Sequence, residues 1–318
     1  MLFLKHLFQN KCRLPSFLML IAAIAAIIPA QTIQASSATI SVFACEPEWA
    51  ALSMEIGGGT VSVYSATTAS QDPHHIQARP RLIAQARKAD LLICSGAELE
   101  VGWLPILLKK SGNPRIQPNA PGHLMAADHV ELLGKVARVT RSMGDIHGEG
   151  NPHVHLHPDR MLKIAQELTQ RLSVISPENS GRFQQNLVRF KDGIDAMIRS
   201  NQQLIESLRG KQWIVHHDNW VYLNEWLKLK QVATLEPKPG IPPTTRHLKK
   251  LIETVESSPV AAVAYGSYQS PKAAKWLTSR TKLPLIAAPY TVSEWQVEGA
   301  LSKWYATLLN TLSNGLNK

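Results

Sequence analysis

From Thr39 to about Pro177, and again from Gln212 to Leu312, short runs of β-branched residues alternate with stretches of helical periodicity. Such alternation implies right-handed βαβ units, because parallel strands need a crossover, and a helix is the crossover that buries its apolar face on the sheet. In the first region, strands are expected at Thr39 to Cys45, Thr60 to Ser65 and Asp90 to Ser95, and helices at Glu48 to Ile56, Arg81 to Lys88 and Leu99 to Lys110. The second offers strands at Gln212 to His216, Gln231 to Leu235, Val260 to Tyr265 and Pro284 to Ala288. Its helices are expected at Val221 to Lys228, Arg246 to Ser257, Pro271 to Thr281 and Glu298 to Leu312.

Between the two regions the pattern changes. Ser176 is a candidate cap, Pro177 suits a first helical turn, and apolar residues recur at Leu187, Phe190, Ile194, Met197, Ile198, Leu204, Ile205 and Leu208. Spacings of three and four predict one amphipathic helix of about thirty residues, weakened by Gly193 and ended by Gly210. A helix of that length works as a strut. The expected fold is therefore α/β, with two similar lobes, each a parallel sheet flanked by helices, joined by one long rigid helix. The boundaries read as an N-terminal lobe over 36–176, the linking helix over 177–210 and a C-terminal lobe over 211–318.

Residues 1–35 have the order of a secretory signal peptide: Lys5, Lys11 and Arg13, an apolar run from Phe17 to Ile28, then small and polar residues to Ala35. The run is short for a membrane span, and a retained anchor is the alternative. Cleavage places the mature chain, starting near Ser36, in the periplasm. Cys45 lies too far from the apolar run, and within a strand pattern, to be a lipid-attachment site. Without the leader the formal charge of +10 falls by three, and the remaining basic residues form no dense block with interleaved aromatics, which argues against nucleic-acid binding. Cys45 and Cys94 each close an expected strand. Either they bridge adjacent strand ends in an oxidising compartment or they are two buried thiols.

Eight of the twelve histidines fall in three places: His74 and His75; His147, His153, His155 and His157; His216 and His217. Neutral imidazole is a favoured zinc ligand, and in open α/β sheets ligands bind beyond the carboxyl ends of strands. His74, in Asp72-Pro73-His74, His153, in Asn151-Pro152-His153, and His217, in His216-His217-Asp218, all follow strand or loop ends, and two carry a proline that restricts the backbone before them. These three are the candidate metal ligands, with the ion in the cleft between lobes. His155 and His157 are expected to cap or solvate the following helix, and His147 reads as a polar loop tip, with transient collection of metal the alternative.

The combination of Asp72-Pro73-His74, Ser95-Gly96-Ala97-Glu98-Leu99-Glu100, Asn151-Pro152-His153 and His217-Asp218-Asn219-Trp220-Val221-Tyr222 resembles the periplasmic zinc- and manganese-binding proteins of ABC importers, the zinc uptake type in particular. The likeness covers nearly the whole mature chain. It implies a monomeric carrier whose cargo is one Zn(2+), with Mn(2+) the lesser candidate, bound by His74, His153 and His217 and delivered to a transmembrane permease. The family's acid after the last strand is absent: the chain reads Ala287-Ala288-Pro289-Tyr290, and the strand ending at Tyr265 leads into Gly266-Ser267. The fourth donor is then water or an acid from elsewhere, with Glu46 the first candidate. A tri-histidine zinc hydrolase or hydratase is the competing class, with Asp218 or Glu46 as base, but no HExxH pair is present. No GxxxxGK[ST] loop occurs either, so transport energy must come from another subunit. The expectation is a binding protein, not an enzyme.

Overall fold

The computed structural model describes residues 39–136, 143–144 and 146–318. The expected signal peptide, 1–35, lies outside the described residues. Among those described, no helix is long and apolar enough to cross a membrane.

Two four-stranded sheets, wholly parallel, form the frame. The first contains β1 (Ile40–Ala44), β2 (Val61–Ser65), β3 (Leu91–Cys94) and β4 (His123–Met125) in the order β2-β1-β3-β4. The second contains β5 (Gln212–Val215), β6 (Lys230–Thr234), β7 (Val260–Gly266) and β8 (Leu285–Ala288) in the order β6-β5-β7-β8. The two orders are equivalent, so the lobes repeat one topology. In each, the chain leaves the first strand to one side and then returns to the other. That reversal opens a crevice at the carboxyl ends, where ligands collect in doubly wound sheets. β4 was not expected from sequence, because three residues carry too little alternation to register.

Helices cover the sheets: α1 (Pro47–Gly57), α2 (Pro80–Lys88), α3 (Leu104–Ser111) and α4 (Pro158–Ile175) in the first half, and α7 (Val221–Leu227), α8 (Thr245–Ser257), α9 (Lys272–Thr281) and α10 (Ala300–Leu316) in the second. The expected helix from Leu99 starts later. Ala97 and Glu98 have left-handed backbones, with φ of 45° and 68°, so the chain turns before α3 begins.

The single thirty-residue strut is corrected to two helices, α5 (Ser180–Ser200) and α6 (Gln202–Leu208), preceded by a 3-10 turn over Pro177–Asn179. Asn201 breaks it: its backbone is off-helical at φ −109° and ψ 15°, and its side-chain amide donates to the Met197 carbonyl at 2.8 Å. An asparagine side chain that satisfies the local carbonyl in place of the ladder offers the backbone an alternative to helix. The apolar face nonetheless runs on through the break: Phe183, Phe190, Ile194, Met197, Ile205 and Leu208 are all buried. One apolar cluster extends from Ile40 and Trp49 through α4 and α5 to Trp213, Leu308 and Leu316, so the halves share a core rather than meeting only through a linker. α10 lies so close to β8 that a Cβ at Gly315 would fall 2.3 Å from Ile286 Cγ1.

Candidate metal centre

The local sequence Asx-Pro-His builds the same device twice. Asp72 caps the 3-10 turn Pro73–His75, where its Oδ1 accepts the backbone N–H of His74 at 3.0 Å and the ring Nδ1–H of His74 at 2.7 Å. Asn151 repeats this for His153, with Oδ1 accepting from the backbone at 3.1 Å and from Nδ1 at 2.7 Å. One oxygen thus aims both main chain and ring. The intervening proline fixes φ and removes a competing donor. Trp103 Nε1 donates to the Pro73 carbonyl at 3.0 Å, and Tyr222 Oη donates to the Asn151 carbonyl at 2.6 Å, which anchors each turn to its surroundings.

His217 reaches the cleft from the end of β5 and is aimed by a different residue, Glu236, whose Oε2 accepts from Nδ1 at 2.7 Å. Parallel pairing of β5 with β6 brings them together: Leu235 N–H donates to the Val215 carbonyl just before both residues. Burial pushes Glu236 up, but hydrogen bonds from His216 and His217 outweigh it and hold the carboxyl at about 2. Burial likewise raises Asp72, and its bonds to His74 reverse the sign and leave it lowered.

The three predicted histidines converge. Ring centroids of His74 and His153 are 6.0 Å apart, of His74 and His217 5.9 Å, and of His153 and His217 6.2 Å. Each Nδ1–H is spent on an oxygen, so each Nε2 carries the lone pair, the state in which a metal-binding histidine is usually held. His153 Nε2 is buried without a hydrogen-bond partner. Burial, then the rings of His74, His147 and His217, keep the His153 imidazole well below its ordinary pKa, and therefore neutral. For tetrahedral zinc with Zn–N near 2.0–2.1 Å, imidazole centroids stand about 5 Å apart, so these rings sit about 1 Å wider than one ion would hold them.

His147 is not a free loop tip, as its loop composition suggested. Its ring lies 5.3 Å from that of His74 and 6.2 Å from that of His153, with Nε2 atoms of His147 and His74 3.2 Å apart. Burial, then His74 and His217, press its pKa down to about 3 against the favourable carbonyl of Ala97. The glycine-rich stretch around it has no periodicity from which this placement could be read.

Other expectations divide. His157 caps α4, accepting the Asp159 N–H at 3.1 Å. His155 does not: it is buried, with Nδ1 3.2 Å from Glu48 and Nε2 3.2 Å from the Tyr290 carbonyl. Glu46 is turned to Ser95 and Glu100 rather than to the histidines. Burial, Glu100 and Glu48 push it well above the usual carboxylate range, and Glu100, raised chiefly by burial, sits at about 7. At Ala288 the missing acid is replaced by packing, since that residue is fully buried and Tyr290, just beyond it, rests 5.8 Å from the His153 ring. Cys45 and Cys94 are joined in a disulfide with Cα atoms 4.8 Å apart, which fastens the ends of β1 and β3 and withdraws both sulfurs from any metal.

Comparison with known proteins agrees with this architecture. A metal ABC transporter substrate-binding lipoprotein, ScbA, of Streptococcus cristatus is 23% identical over 98% of this chain and 100% of its own length. The manganese ABC transporter substrate-binding lipoprotein PsaA of Streptococcus pneumoniae is 21% identical over 90% and 91%. The zinc-binding lipoprotein AdcA of Streptococcus pneumoniae is 23% identical over 66% of this chain, but the match spans only 42% of AdcA. Among solved structures, a crystal structure of ZnuA superposes with a TM-score of 0.73 at 19% identity, covering 87% of this chain and 99% of that one. A manganese-bound periplasmic metal-binding protein from Candidatus Liberibacter asiaticus gives 0.69 at 16% identity, covering 87% and 100%. The family model described as zinc-uptake complex component A, periplasmic, matches residues 42–316, and the chain belongs to that family of metal ABC transporter substrate-binding proteins.

Proposed function

We propose that this protein captures one divalent ion, Zn(2+), between His74, His153 and His217 in the periplasm and delivers it to the permease of an ABC importer. The observation that carries the reading is the state of the three rings: every Nδ1 is bonded to an oxygen of Asp72, Asn151 or Glu236, which leaves Nε2 as donor. Imidazole suits zinc, copper and nickel, whereas manganese favours carboxylate and carbonyl oxygen. The carboxylates of Asp72 and Glu236 are already committed to the rings, so the site supports zinc over the Mn(2+) named for some relatives. A hydrolytic role gains no support from the neighbouring acids, because Asp218 accepts from Gln231 at 2.8 Å and Glu46 faces Ser95.

Metal analysis and competition titration of the full mature chain, beside His74→Ala, His153→Ala and His217→Ala, test this. One zinc per chain is expected, lost in all three variants. Stoichiometric, undiminished binding in any variant removes that residue from the site.

A further inference from the structure

We infer that His147 is a fourth imidazole donor to the same ion, completing an all-nitrogen tetrahedron that discriminates against manganese. This rests on the three-histidine reading above. The distance is the first argument: a tetrahedron with Zn–N of 2.0–2.1 Å has an N···N edge of about 3.3–3.4 Å, and His147 Nε2 stands 3.2 Å from His74 Nε2. The second is hydrogen bookkeeping. His74 gives its Nδ1 proton to Asp72, so its Nε2 is a lone pair, and in the metal-free chain His147 can meet it only by directing an N–H there. When the ion enters, the neutral ring carries its proton on Nδ1 instead of Nε2, so that both Nε2 atoms donate to the metal and no net proton is released.

The backbone holds His147 in place. The turn Gly96-Ala97-Glu98 has three consecutive positive φ values, 77°, 45° and 68°, a conformation that costs free energy at the two residues with side chains. It carries Glu98 Oε2 to the N–H of Gly148, at 2.9 Å, directly after His147. On the other side, Gly144 lies so close to the Pro239 carbonyl that a Cβ there would approach within 2.1 Å. The segment is therefore tied to a loop from each half of the chain. At the ends of β7 and β8, where Gly266 pairs with Ala288, neither residue is an acid that could take the fourth position.

X-ray absorption of the zinc-loaded full chain, with zinc and manganese competition titrations, tests the assignment on wild type and His147→Ala, whose thermal melts control for folding. Wild type should show four imidazoles, and His147→Ala three plus a light atom. The variant should keep one zinc per chain with affinity lower by at least about 10–100-fold, the loss already typical of an outer partner, and with weaker discrimination against manganese. Equal imidazole counts and equal affinities in the two proteins overturn it. Failure of the three-histidine reading looks different: His74→Ala would then retain wild-type zinc affinity.

Discussion

Glu236 stands nineteen residues beyond His217 in sequence, yet its Oε2 lies 2.7 Å from the His217 Nδ1, and the same oxygen accepts the Gly240 N–H at 3.0 Å. The carboxylate therefore both orients the ring and, being ionised down to about pH 2, raises the electron density at Nε2. Glu236→Gln keeps an acceptor oxygen and loses the charge, whereas Glu236→Ala loses both. Zinc affinity is expected to fall about 10-fold in the first and towards 100-fold in the second, with one ion still bound. Competition titration reads this, and equal losses would assign the effect to the charge alone.

The buried carboxyls of Glu46 and Glu100 predict a pH dependence of opposite sign from an ordinary ion pair. Glu46 holds its proton more tightly in the folded protein than at its ordinary value of 4.5, and Glu100 does so up to about 7. The contribution is full below about 4.5 and is lost as pH rises through the folded values. Glu46→Gln imitates the protonated state, so it should raise the Tm of metal-free protein at pH 8 and change it little at pH 5. Each kcal/mol gained corresponds to roughly 2–4 °C for a chain of this class. Thermal melts at the two pH values check it, and an equal shift at both would mean that Glu46 does not carry the proton.

The disulfide between Cys45 and Cys94 closes a loop of sequence separation 49. In the chain-entropy account this lowers the freedom of the unfolded state by about 4 kcal/mol. Cys45→Ser with Cys94→Ser should unfold at a clearly lower denaturant midpoint. Zinc stoichiometry should stay at one, because both sulfurs are buried and bonded to each other. Loss of zinc at unchanged melting temperature would contradict this.

How much could be read from sequence follows from how locally each feature is encoded. The parallel sheets were legible because their strands are long enough to alternate with helical periods. His74 and His153 are legible because the Asx-Pro-His run is itself the positioning device, although the orienting roles of Asp72 and Asn151 show only in their hydrogen bonds. Glu236 was hidden, since only strand pairing brings it to His217. His147 was hidden because a glycine-rich loop takes its place from distant partners such as Glu98. The break at Asn201 leaves no mark in the sequence pattern because the apolar spacing continues across it, and periodicity reports the buried face rather than the hydrogen-bond ladder.

Asn151 joins the two halves beside the clustered histidines. Its Oδ1 serves His153, its Nδ2 donates to the Asp218 carbonyl at 2.8 Å, and its own carbonyl accepts from Tyr222. Asn151→Ala frees the His153 ring and cuts the bridge to Asp218, so zinc affinity should drop about 10–100-fold, as for loss of an outer partner. Asn151→Asp preserves the acceptor and makes the turn match that of Asp72 and His74, at the cost of the donor to Asp218. If the ring's orientation governs affinity, Asn151→Asp should recover most of the loss seen with alanine. If the bridge governs it, aspartate should bind zinc as weakly as alanine, because a carboxylate cannot donate to a carbonyl and repels it. Zinc titration of the three proteins at pH 7, where an aspartate in this setting is ionised, separates the two contributions.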